Sequence, residues 1–197
     1  MNILVDELPT TLLIKGKEYP INEDFTAIII LEQMLSDKEL TDSQKSVEML
    51  NILFSKEIPP NNMETAQQIE WYYRCGRVES ERRKKALAKH INSRRGKRLN
   101  DEIYDFDYDA PMIYAAFMQI YRVDLNNTFL HWWKFKAMFD SLPDECEFGK
   151  AMKYRATDIS KIKDKDEKQR IITLQNFYAI PSKLTAEEKA ARIGSMF

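Results

Sequence analysis

Glycine is scarce in this chain, five residues in 197, which excludes glycine-rich phosphate cradles and the many tight turns of an all-β fold. Cysteine is scarcer. Cys75 and Cys146 stand far apart, with no CxxC pair and no histidine at metal-ligand spacing, the pattern of reduced thiols rather than of a disulfide framework or a zinc site. Only two histidines, His90 and His131, are present, so a nucleophile has little to pair with. No apolar run approaches the ~20 residues of a membrane span, and the opening MNILVDELPT lacks the charged and apolar regions of a secretory signal. Neither charge sign is in excess, with 30 Lys and Arg against 31 Asp and Glu, so an electrostatic partner would have to meet a local cluster. These absences predict a soluble, intracellular protein whose core is built from side chains alone, without metal, cofactor or catalytic centre.

What is present reads mainly as helix. TLLIKGKEYPIN, residues 10–21, predicts a small N-terminal hairpin turning at Lys15–Gly16, with Pro20 tolerable at an edge. Asn22 or Asp24 can cap the next segment, FTAIIILEQML, apolar nearly all round as in a helix between neighbours. Thr41 and Gln44 form a capping box, after which Val47, Leu50, Leu53 and Phe54 share one face. That helix must end before Pro59–Pro60. Asn62 can start another, with Ala66, Ile69 and Tyr73 on one side.

From Arg74 to Arg98 the composition changes, to eleven Lys or Arg and two Glu in 25 residues. A stretch like this buries little and reads as a solvated connector. The expected organisation is residues 1–75 as hairpin plus helices, 76–103 as basic connector, 104–182 as an aromatic-rich helical lobe and 183–197 as a tail helix. In the lobe, Asp109 can cap a helix carrying Ile113, Phe117, Ile120 and Tyr121, with Pro111 acceptable in its first turn. Thr128 can cap the following one, where FLHWWKFKAMFDSLP covers two opposite faces with aromatics, as a helix buried between layers does. A charged helix from about Ser160 ends in IITLQNFYAIP, with Ile171, Leu174 and Tyr178 on one stripe. Thr185 and Glu188 cap a short last helix.

Patterns that carry chemistry fail on inspection. DFDYDA sets Asp105, Asp107 and Asp109 at the first three ligand spacings of a calcium loop, but Ala110 and Ala116 stand where the loop needs Gly and a bidentate Glu. An extended segment with acids on one face and Phe106 and Tyr108 on the other is the expectation. HExxH, phosphate-loop and dinucleotide motifs are all missing, so no enzymatic role is expected. The basic segment supplies Arg82, Arg83, Lys84, Lys85, Arg94, Arg95, Lys97 and Arg98 as candidate phosphate contacts. Without interleaved aromatics for base stacking, a solvated face is preferred there and a nucleic-acid role is the alternative.

In order, YDFDYDAPMIYAAFMQIYRVDL, LHWWKFKAMFDSLP, a lone Phe148, YRATDI, a charged helix and FYAIP resemble the bacteriophage gene-product-fifteen family, from the tail-gene region of long-tailed phages of Gram-positive bacteria. LIKGKEYPINEDF is similar to that family's opening. The resemblance spans about residues 8–182 and is weakest over 55–100. It implies an assembly role in the host cytoplasm: a chaperone-like protein that binds the tape measure protein or tail tube subunits, or else a structural tail component. On that implication, any exposed part of Trp132, Trp133, Phe135 and Phe139 is one docking face, because large rigid aromatics dominate interfaces. The isoleucine-rich helix 25–35 is a second.

Overall fold

Lys15 and Gly16 both take positive φ, 51° and 75°, the geometry of a two-residue turn whose twist suits a hairpin. The turn joins β1 (Thr11–Ile14) to β2 (Lys17–Pro20), antiparallel, with Leu12 opposite Tyr19 and Thr11 opposite Pro20. These features belong to a computed structural model that describes residues 1–77 and 103–181. The eight candidate phosphate-binding side chains, His90 and the tail helix expected over 183–197 lie outside the described residues, as does nearly all of the expected connector.

Among the described residues the hairpin is followed by seven α-helices, so the chain is mainly helical with a small N-terminal hairpin. Helix α1 (Phe25–Leu35) is capped by the Asp24 carboxylate on the Thr26 amide. Helix α2 (Asp42–Leu53) starts with the expected box, Thr41 and Gln44 each accepting from the other's backbone amide. Asn62 caps α3 (Met63–Tyr73). Its buried face is Thr65, Ile69 and Tyr72, rotated from the expected one, and Ala66 is exposed. Likewise Val47 on α2 is 49% exposed while Leu50, Leu53 and Phe54 are buried.

The second half holds α4 (Ala110–Tyr121), α5 (Trp132–Asp140), α6 (Glu147–Ala156), a short 3-10 turn (Ile159–Lys161) and α7 (Lys165–Phe177). Two expected caps are corrected. Thr128 does not start α5, because the chain stays extended to His131, whose ring caps the helix. Asp109 stands before α4 but makes no side-chain cap, because its carboxylate is held by Arg155 and the Asp105 amide. Ile120 is 43% exposed rather than in the core with Ile113 and Phe117.

Helix α6 has no counterpart in the pattern reading. Cys146 is an unusual cap, its sulfur accepting from the Gly149 amide, and glycine inside a helix argues against one. Gly149 is required all the same, because a Cβ there would lie 2.2 Å from the Pro143 carbonyl oxygen.

The acidic box is a turn, not an extended ladder. The Asp105 carboxylate accepts from the Asp107 and Tyr108 amides at 2.7 and 2.9 Å, and this Asx turn competes successfully with extended backbone. Phe106, Asp105 and Asp109 are buried while Tyr108 is 46% exposed.

Both halves of the chain contribute to one contiguous hydrophobic cluster, from Leu12 and Phe25 to Phe139 and Phe148. Residues 23–25 and 130–132 also exchange backbone bonds, Phe25 N–H to Leu130 O at 2.9 Å and Trp132 N–H to Glu23 O at 2.8 Å.

Candidate functional site

The aromatic run that invites a ligand or a partner is the centre of this core. Phe135 is sandwiched between Phe25 of α1, centroids 4.6 Å apart and near-parallel, and Phe117 of α4, at 5.0 Å. Both indoles donate to the end of α3, Trp133 to Tyr72 O at 2.8 Å and Trp132 to Tyr73 O at 3.0 Å. Tyr72 O also accepts from the Cys75 amide at 2.9 Å, so the indoles add bonds to carbonyls at a helix end where intrahelical partners run out. Phe139 packs on Phe148 of α6 and on Tyr104.

Burial decides between the two readings of these residues. Trp132 and Phe135 are 0% exposed, Trp133 and Phe139 3%. The docking face expected of them is corrected accordingly: they hold α1, α3, α4 and α6 together and leave no surface for a partner. The expectation that a helix with aromatics on two opposite faces lies buried between layers is met.

His131 is buried and fully engaged. Its Nδ1 accepts from the Trp133 amide at 3.0 Å, and its Nε2 lies 3.1 Å from the Pro9 carbonyl oxygen, to which it must donate. The ring is therefore neutral with the proton on Nε2. Burial lowers its pKa from the ordinary value, opposed by the Pro9 carbonyl and by the Glu23 charge. Such a ring is a cap, with no lone pair left over for chemistry.

Neither cysteine is poised for chemistry, and the two acids of a shallow cleft are engaged. Both cysteines are free thiols, and burial pushes the Cys75 thiol up to about 11, far from a reactive thiolate. A shallow cleft of about 260 Å3 lies between Glu32, Gln33 and Ser36 and residues 103–106. Of its two acids, Glu32 accepts from the Tyr73 hydroxyl at 2.7 Å and Asp105 closes the Asx turn. Among the described residues no group of three His, Cys, Asp or Glu side chains could hold a metal ion, and no helix is long and apolar enough to cross a membrane.

The second docking candidate, α1, is half available. Phe25, Ala27, Ile28 and Leu31 are buried, but Ile30 and Leu35 are 51% and 46% exposed. Val47 stands out from α2, which packs against α1.

A hairpin and a layer of helices around a shared aromatic centre define a mainly helical protein with a small N-terminal hairpin. The chain belongs to the Bacteriophage Gp15 protein family, whose model matches residues 4–180. No curated protein and no solved structure matches it.

Proposed function

We propose that this phage protein is a tail assembly factor that acts by binding protein, chaperone-like, on the tape measure protein or on tail tube subunits in the host cytoplasm. In this reading it uses no catalysis and no cofactor. The observation that carries it is membership of the Bacteriophage Gp15 protein family over nearly the whole chain. Supporting it, the polar side chains of the described core are committed to caps and turns, while apolar side chains stand in solvent on α1 and α2. Exposed apolar side chains of this kind suit contact with an amphipathic or apolar helix of a partner. With the aromatic cluster buried, the contact surface moves to Ile30, Leu35 and Val47.

The test is co-expression with the tape measure protein of the same phage. The expected result is that the tape measure protein stays soluble and is retained on the tagged chain, and that Ile30→Glu with Val47→Glu abolishes retention while the circular dichroism spectrum is unchanged. Failure of the wild-type chain to retain or solubilise any tail protein overturns the proposal. Retention on heparin that is lost at moderate salt would transfer the role to the basic segment 74–98.

A further inference from the structure

Helix α4, APMIYAAFMQIY, contains no charged residue over twelve positions, in a chain that is 31% charged. Its inner face, Ile113, Ala116 and Phe117, is buried. Its outer face is not: Pro111, Ala115, Met118 and Gln119 are exposed, and with Arg122 the stripe 111, 115, 118, 122 follows the four-then-three spacing of a helix-packing seam. Small and flexible side chains at such a seam let two backbones come close. Tyr108, 46% exposed, extends the apolar surface at its start.

The charges lie at the two ends and differ in sign. Asp107 is exposed just before the helix and Arg122 just after it, and neither side chain has a polar partner among the described residues. The other acid beside Arg122 is occupied, Asp124 accepting from the Tyr114 hydroxyl at 3.1 Å and the Asn127 amide at 2.7 Å.

We propose that α4 pairs with α4 of a second copy of this chain, antiparallel, about a two-fold axis through Ala115. Such a pairing sets Ala115 against its own copy and Pro111 against Gln119, and brings Asp107 within one position of facing Arg122, each contact occurring twice by symmetry. The complementary ends select the orientation. A parallel pair would put Asp107 on Asp107 and Arg122 on Arg122, whereas the antiparallel pair joins opposite charges at both ends of an uncharged seam about 18 Å long. The interface lies on a different helix from the α1 and α2 surface of the proposed function and does not depend on that reading.

Light scattering of the full chain during size exclusion tests it. The wild type should have the mass of two chains, and Ala115→Glu, which sets two like charges face to face on the axis, should have the mass of one with an unchanged circular dichroism spectrum. Asp107→Arg alone and Arg122→Asp alone should each weaken association roughly tenfold, since each alters two contacts, and the double exchange should restore it. In addition, Ala115→Cys should oxidise to a disulfide-linked pair. A wild-type chain that is monomeric at about 100 µM, well above the dissociation constant of a specific pair, overturns the proposal, as does a dimer indifferent to Ala115→Glu or a double exchange no tighter than the single ones. Loss of tape measure retention on Ala115→Glu, with a monomeric wild type, would give the face to that partner instead.

Discussion

Gly76 and Gly16 both sit at positive φ, 67° and 75°, yet they face different surroundings. A Cβ on Gly76 would stand 2.7 Å from Cη2 of the Trp133 indole, whereas one on Gly16 would meet nothing within 4 Å. Gly16→Ala should therefore cost only the left-handed strain, about 1 kcal/mol, and Gly76→Ala about 2 to 3 kcal/mol because the indole is held at Tyr72 O and cannot move aside. Urea denaturation of both variants checks the difference. His131 carries a second residue-level expectation. Its folded pKa lies below the ordinary 6.5 because of burial, so the unfolded chain binds the proton more readily. Stability is then full above pH 6.5 and falls as pH drops from there toward the depressed folded pKa. A denaturation series from pH 7.5 to 5.0 should show this loss, and His131→Asn, which can still cap α5 but does not titrate, should flatten that part of the profile. Glu147 acts in a lower window: the Tyr178 hydroxyl holds its carboxyl below 4.5, and its contribution is lost only as pH falls further.

At the scale of elements, local and tertiary determinants separate by magnitude. The Thr41–Gln44 box on α2 is exposed and local, and Thr41→Ala should cost about 1 kcal/mol. Trp132 on α5 is fully buried, donates to the end of α3 and stacks on Tyr73. Trp132→Ala should cost about 3 to 5 kcal/mol, and chemical denaturation ranks the two. The same contrast explains which helices can be seen in the sequence. α1, α2 and α3 carry recognised cap residues and announce themselves, while α6 has a cysteine cap and an internal glycine that makes sense only beside Pro143.

At the scale of the whole molecule, Arg155 joins segments far apart in sequence. Its guanidinium grips Asp109 through both oxygens at 2.6 and 2.9 Å and also donates to Ile103 O and Tyr178 O, with 6% and 0% of the two side chains exposed. Removing one partner leaves a buried charge uncompensated. Arg155→Met should cost about 3 to 5 kcal/mol, and adding Asp109→Asn, which can still accept from the Asp105 amide, should recover part of that in a double-mutant cycle followed by denaturation. Neither residue stands out as a pair in the sequence, because Asp109 reads as a helix cap and Arg155 as one of many surface bases. Only the return of α6 beneath α4 brings them together.

The sequence by itself determined the helical class, the hairpin, three of the caps, the family resemblance and the aromatic richness of residues 104–148, because periodicity, capping and turn chemistry act within a few residues. Tertiary structure alone decided which helix end the paired tryptophans bind inside the core, and that DFDYDA folds into a turn locked by Arg155. It also left α1 and α4 with apolar sides in water. The physical reason is that burial depends on what packs opposite, and a side chain's partner across the core is not written in its own neighbourhood.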